Sequence, residues 1–131
     1  MRQEKNYTML NDIFFFDSYA ILEVLRGSKN YEKYKECIIV TTKLNLFEVF
    51  YSILKDLEEK DYNDLFQKYY GAAIDFDLDV IKEAAKFRLK YKKNNLSMTD
   101  CIGYMLAKRW GIRFLTGDKE FENMENVEFV K

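Results

Sequence analysis

Asp12-Ile13-Phe14-Phe15-Phe16-Asp17-Ser18 is the stretch that decides the fold. An uninterrupted aliphatic and aromatic run suits a strand covered on both faces, as in a parallel sheet. From Ser18, Ile21, Leu22 and Leu25 recur at helical spacing and Gly27 is a natural stop, so the strand passes into a helix at Asp17-Ser18. An acid at that junction stands where open α/β sheets bind ligands, beyond the carboxyl end of a strand.

The rest of the chain repeats the alternation. A short helix over 29–36, a β-branched strand over 37–40 and a long helix over 43–56 come first. Helical spacing returns over 58–70, Ala73 to Phe76 reads as a short strand, and Leu78 to Lys93 carries Val80, Ala84, Phe87 and Tyr91 on one helical face. Met98 to Trp110 is the next helix, broken by Gly111. A strand over 112–116, a turn or short helix from Asp118 to Asn123 and an edge strand over 127–130 complete the chain. This order predicts one domain over 1–131: an α/β fold with a central parallel sheet of four to five strands and right-handed crossovers.

Composition limits the chemistry. The chain has no histidine and two cysteines, which removes imidazole bases, histidine triads and the usual zinc ligand sets. Any metal must therefore be held by oxygen. The 21 basic and 22 acidic residues nearly cancel, so net charge neither supports nor opposes a polyanionic partner. Cys37 and Cys101 lie in apolar segments without CxxC spacing and read as buried free thiols in a reducing compartment. The first eleven residues lack the apolar core of a signal peptide, and no run of about twenty apolar residues follows. The expectation is a cytoplasmic protein without a membrane span.

Four acids are the candidate site: Asp17, Glu48, Asp100 and Asp118. Each has a plain structural alternative. Asp17 and Asp118 suit helix caps, and Ser97-Met98-Thr99-Asp100 spells a capping box. Glu48 recurs with Asn45, Ser52 and Lys55 at helical spacing as in an ordinary solvated stripe, but it lies among Leu44, Leu46, Phe47, Val49, Phe50, Tyr51, Ile53 and Leu54, which predicts a mostly buried helix where a carboxylate needs a partner. Carboxylates held close raise one another's pKa values unless a cation compensates, and Mg²⁺ or Mn²⁺ suits an all-oxygen set. Phosphodiester hydrolysis is the matching reaction.

Asp17-Ser18 after a hydrophobic strand, Asn45-x-x-Glu48 on a helix, Ser97-x-x-Asp100 opening another and Leu115-Thr116-Gly117-Asp118-Lys119-x-Phe121 together resemble the PIN domain family, particularly VapC-type toxin ribonucleases. The resemblance implies a three-layer α/β/α fold and cleavage of single-stranded RNA with one or two Mg²⁺ or Mn²⁺ ions. It also implies a homodimer and a small antitoxin partner. The four acids would be the catalytic and metal-ligating residues, with Thr116 as a supporting hydrogen-bonder. Arg26, Lys43, Lys108, Arg109 and Lys119 are candidates for contact with the RNA backbone, and Tyr19, Tyr51 and Tyr104 for base stacking. Two alternatives stay open: a non-catalytic PIN-like interaction module, and an RNA-processing nuclease without an antitoxin. A phosphotransfer domain of haloacid dehalogenase type is opposed by Asp17-Ser18-Tyr19, which lacks a second acid.

Overall fold

The computed structural model describes residues 12–56, 58 and 60–131. The polar lead over 1–11 lies outside them. Four strands, β1 (Ile13–Phe16), β2 (Ile38–Val40), β3 (Arg113–Thr116) and β4 (Val127–Phe129), form one sheet in the order β2-β1-β3-β4. Every pairing is parallel, with Phe15 opposite both Val40 and Phe114. Among the described residues five α-helices surround the sheet: α1 (Ser18–Leu25), α2 (Lys43–Lys55), α3 (Asn63–Gly71), α4 (Leu78–Lys90) and α5 (Met98–Trp110). The segment Lys29–Glu36 is a 3₁₀ helix, as is Lys119–Phe121.

Strand alternation divides the core into two layers, because successive side chains point to opposite faces. Phe14, Phe16 and Leu115 pack with Ile21 of α1, Val49 of α2 and Tyr31. Phe15 and Phe114 pack on the other face with Val80 of α4, and Tyr104 and Leu106 of α5. This is the expected α/β/α arrangement. Burying each large apolar side chain contributes about 1.5–3 kcal/mol. Cys37 and Cys101 are buried and form no disulfide among the described residues, as expected.

The stretch 73–76 is a correction. Ala73 makes one isolated parallel bridge to Thr41, and no strand follows. Asp77 caps α4 by accepting from the Val80 amide at 3.1 Å, so the chain turns into a helix before a ladder can extend. Among the described residues the sheet therefore has four strands, the lower expected number.

Helix α5 approaches the sheet closely at one glycine. A Cβ on Gly103 would stand 2.7 Å from Phe15 Cε1 and 3.2 Å from Phe114 Cε1. Both rings are fully buried and stacked with centroids 5.6 Å apart, so neither can retreat. Overpacking costs about 1–3 kcal/mol, and replacing glycine within a helix returns at most about 1 kcal/mol. Gly103→Ala is expected to lower the urea midpoint of unfolding, and Gly103→Val to lower it further. An unchanged midpoint in both variants would contradict this packing.

Candidate metal and active site

The strand ends fix the first acid. The Asp17 amide donates to Leu115 O at 3.2 Å, continuing the β1–β3 ladder by one residue. Thr41 Oγ1 donates to Phe16 O at 2.9 Å and ties the end of β2 to the end of β1. The Asp17 side chain caps α1 by accepting from the Ala20 amide at 2.8 Å, and it is 3% exposed. Burial pushes its carboxyl up to about 8, the charges of Asp100 and Asp118 push the same way, and bonds from Thr116 and Ala20 oppose the rise.

Thr116, fully buried at the end of β3, joins two of the acids. Its hydroxyl hydrogen-bonds to the Asp17 carboxyl, and Oγ1 accepts from the Asp118 amide at 3.0 Å. Asp118 in turn caps the following 3₁₀ turn by accepting from the Glu120 amide at 3.0 Å. Between them Gly117 has no room for a Cβ, which would collide with the Tyr19 ring and with Val130 O. That close approach holds Tyr19 beside the acids.

Asp100 reaches the same region from the first turn of α5. Its capping box is complete: the Ser97 amide donates to Asp100 Oδ2 at 2.9 Å, and the Asp100 amide donates to Ser97 Oγ at 3.0 Å. Burial pushes its carboxyl up to about 6, with Glu48 and Asp118 adding to the rise and the Ser97 bonds opposing it. Glu48 is half-buried on α2 and held by a relay. Ser18 Oγ donates to Glu48 Oε1 at 2.6 Å, Asn45 Nδ2 donates to Ser18 Oγ at 3.1 Å, and Thr42 Oγ1 donates to Asn45 Oδ1 at 2.6 Å.

Each aspartate is thus the cap that its sequence suggests, and the four acids are also electrostatically linked: Asp17 with Asp100 and Asp118, Asp100 with Glu48 and Asp118. Among the described residues none of the four forms an ion pair. Nor do any three acid or thiol side chains among those residues stand close enough to hold an ion as they are arranged. Like-charged groups without a counter-charge gain nothing by closing together. Asp17 is buried and Glu48, Asp100 and Asp118 are half-buried, and oxygen donors that repel one another and lack a cationic partner among the described residues suit a divalent cation in kind.

The environment of Glu48 differs from the expectation of a mostly buried helix. Helix α2 buries Asn45, Leu46, Val49 and Ile53, while Phe47, Phe50, Tyr51 and Leu54 form an exposed stripe. A helix packed on one side hides only part of its circumference, and hydrophobic residues on the other side remain in water. Ser18 and Asn45 were visible as parts of motifs, but their bonds to Glu48 cross between two helices and have no local sequence signal.

The surface candidates separate. Arg26 is tied to Glu58 and to Asp56, the latter at 3.0 Å, at the end of α1 remote from the acids. Lys108 pairs with Glu125 at 3.0 Å and Arg109 lies 3.8 Å from Asp77. Lys43 lies over the Tyr70 ring, 5.6 Å from its centroid. Tyr104 is a core residue, 2% exposed, and is closed to base stacking.

A parallel sheet with Asp17 and Asp118 just beyond the ends of neighbouring strands defines an open α/β domain, whose ligand crevice lies at that edge. The PIN domain profile matches residues 14–127. The chain belongs to the PIN domain family, whose members are generally nucleases. Among solved structures it is similar to a chain described as a toxin–antitoxin complex from Klebsiella pneumoniae, at 17% identity and TM-score 0.69, covering 88% of this chain and 95% of that one. It is also similar to PAE2754 from Pyrobaculum aerophilum, at 14% identity and TM-score 0.64 over 91% of each chain. A search of the curated proteins finds no match. Among the described residues no helix is long and apolar enough to cross a membrane.

Proposed function

We propose that this chain is an endoribonuclease dependent on Mg²⁺ or Mn²⁺ and the toxin of a VapBC-type pair. The observation that carries the reading is Asp17: a carboxylate buried at the end of the central strand, linked to Asp118 through Thr116, near Asp100, and without a cationic partner among the described residues. Asp17, Glu48, Asp100 and Asp118 would hold the cation. When bound, it supplies Lewis-acid polarisation of a phosphoryl oxygen and a lowered water pKa. The relay from Thr42 through Asn45 and Ser18 orients Glu48, and Thr116 keeps Asp17 and Asp118 in register.

A small antitoxin and a second copy of the chain are the proposed protein partners, and the cytoplasm is the proposed compartment. The apolar stripe of α2, with Phe47 72% exposed, supports a protein partner, and a toxin–antitoxin complex is among the similar structures. The purified chain is expected to cut single-stranded RNA with Mn²⁺ and to stop when EDTA removes it. Undiminished cutting in EDTA would refute the metal-dependent site.

The occupied caps of Asp17, Asp100 and Asp118 favour one second reading, a non-catalytic PIN-like interaction module. Calorimetry separates the two. Heat on Mn²⁺ titration that vanishes in Asp17→Asn supports the nuclease, whereas silence with both ions supports the module. A gene without an antitoxin neighbour, encoding a chain that still cuts, would support an RNA-processing nuclease instead.

A further inference from the structure

The chain carries a net charge of −1, yet the twelve residues from Lys82 to Lys93 hold six basic side chains and a single acid, Glu83. All six are exposed. The helix dipole accounts for cations in the last turn, here Arg88 and Lys90. Lys82 and Lys86 lie upstream of that turn and Lys92 and Lys93 beyond it, so the dipole does not explain the run.

Part of the run faces an open groove of about 640 Å³ between α4, α5 and the segment 119–125. Lys86 and Lys90 line one wall with Glu83, and Lys108 another, while Lys119 and Glu120, the two residues after Asp118, and Glu125 line the third side. The floor is aromatic. Phe87 packs against Tyr91 and Tyr104 with centroids 4.8 Å apart in both cases, and the Tyr91 ring is half-buried. Among the described residues Lys90 and Lys119 make no ion pair. Lys86 and Lys108 are held by Glu83 at 3.7 Å and Glu125 at 3.0 Å. Exposed pairs of this kind are worth little and yield readily to a phosphate.

We propose that this groove carries the unpaired RNA strand that leads to the carboxylates, with Lys86, Lys90 and Lys119 on its phosphates and the Tyr91 ring meeting a base once Lys90, now 5.4 Å over its centroid, turns to a phosphate. The proposal rests on the nuclease reading and locates its substrate path. Backbone neutralisation by lysines and stacking on an aromatic ring is how single strands are held without sequence readout.

Fluorescence anisotropy of a labelled single-stranded RNA oligonucleotide, with the full chain in EDTA over a range of salt, tests it. Lys86→Glu/Lys90→Glu and Lys119→Glu are expected to weaken binding about tenfold or more. For every phosphate that a variant no longer neutralises, the slope of log affinity against log salt should become shallower by about 0.7. Lys33→Glu/Lys35→Glu, also exposed but on the 3₁₀ helix of the opposite layer, should bind within about twofold of the parent. Parental affinity in the groove variants, or an equal loss in the control, overturns the proposal, as does tighter binding of a poly-glutamate peptide that displaces the RNA from the groove. Groove-dependent binding by a chain that never cuts RNA with Mn²⁺ would sink the nuclease reading and leave the groove standing. Cutting by the parent alongside parental RNA affinity in the groove variants does the reverse.

Discussion

Asp17→Asn is expected to lower RNA cleavage about a thousandfold or more while the fold stays intact. Asparagine keeps an oxygen that can accept from the Ala20 amide and from the Thr116 hydroxyl, so the cap of α1 and the link to β3 survive. What it removes is the charge. A side chain 3% exposed, whose carboxyl rises to about 8 without a cation, has little reason to be an acid unless a cation is its partner. A thousandfold loss corresponds to about 4 kcal/mol of transition-state stabilisation, reasonable for a group that holds the ion. Single-turnover cleavage with Mn²⁺ and far-ultraviolet circular dichroism check both halves. Retention of even a tenth of the parental rate would place the chemistry elsewhere.

The second large effect is on stability. In the metal-free chain, Asp17 titrates near 8 when folded and near the ordinary 3.8 when unfolded, and Asp100 is raised to about 6. Between those values the native state binds protons that the unfolded chain has released. Stability therefore falls as pH rises: the contribution is fully present below about pH 4 and lost as pH passes through about 8. A single group of this kind gives a slope of at most about 1.4 kcal/mol per pH unit. Urea unfolding in EDTA from pH 5 to pH 8 should show the decline, and Asp17→Asn should flatten most of it. Millimolar Mn²⁺ should remove the decline, because a cation that binds the ionised site stabilises the native state as the carboxylates lose protons. A flat or rising profile in EDTA would mean that Asp17 is not held in a low-dielectric position.

The sequence carries much of this because its informative signals are local. A continuous run such as Ile13 to Phe16 has one economical solution, a strand covered on both faces. Ser97 and Asp100 spell their own cap within four residues, and it forms as written. The segment 73–76 misled because strand propensity over four residues is weaker than the cap of the helix that follows it. The aromatic richness of α2 misled in a different way. Apolar residues state what would gain from burial, and Phe47 and Leu54 remain 72% and 58% exposed because no described element of this chain covers that side.

On its own, the sequence determined the absence of histidine, the parallel sheet and the position of Asp17 at a strand end, and it singled out four candidate acids, since each follows from residue type and short-range periodicity. The tertiary structure alone decided what surrounds those acids. Thr116 reaches from β3 to Asp17, Ser18 from α1 to Glu48, and the lysines of α4 share a groove with Lys119 because the crossovers bring distant segments side by side. Burial and charge coupling are properties of neighbours in space, and a linear pattern encodes only neighbours along the chain.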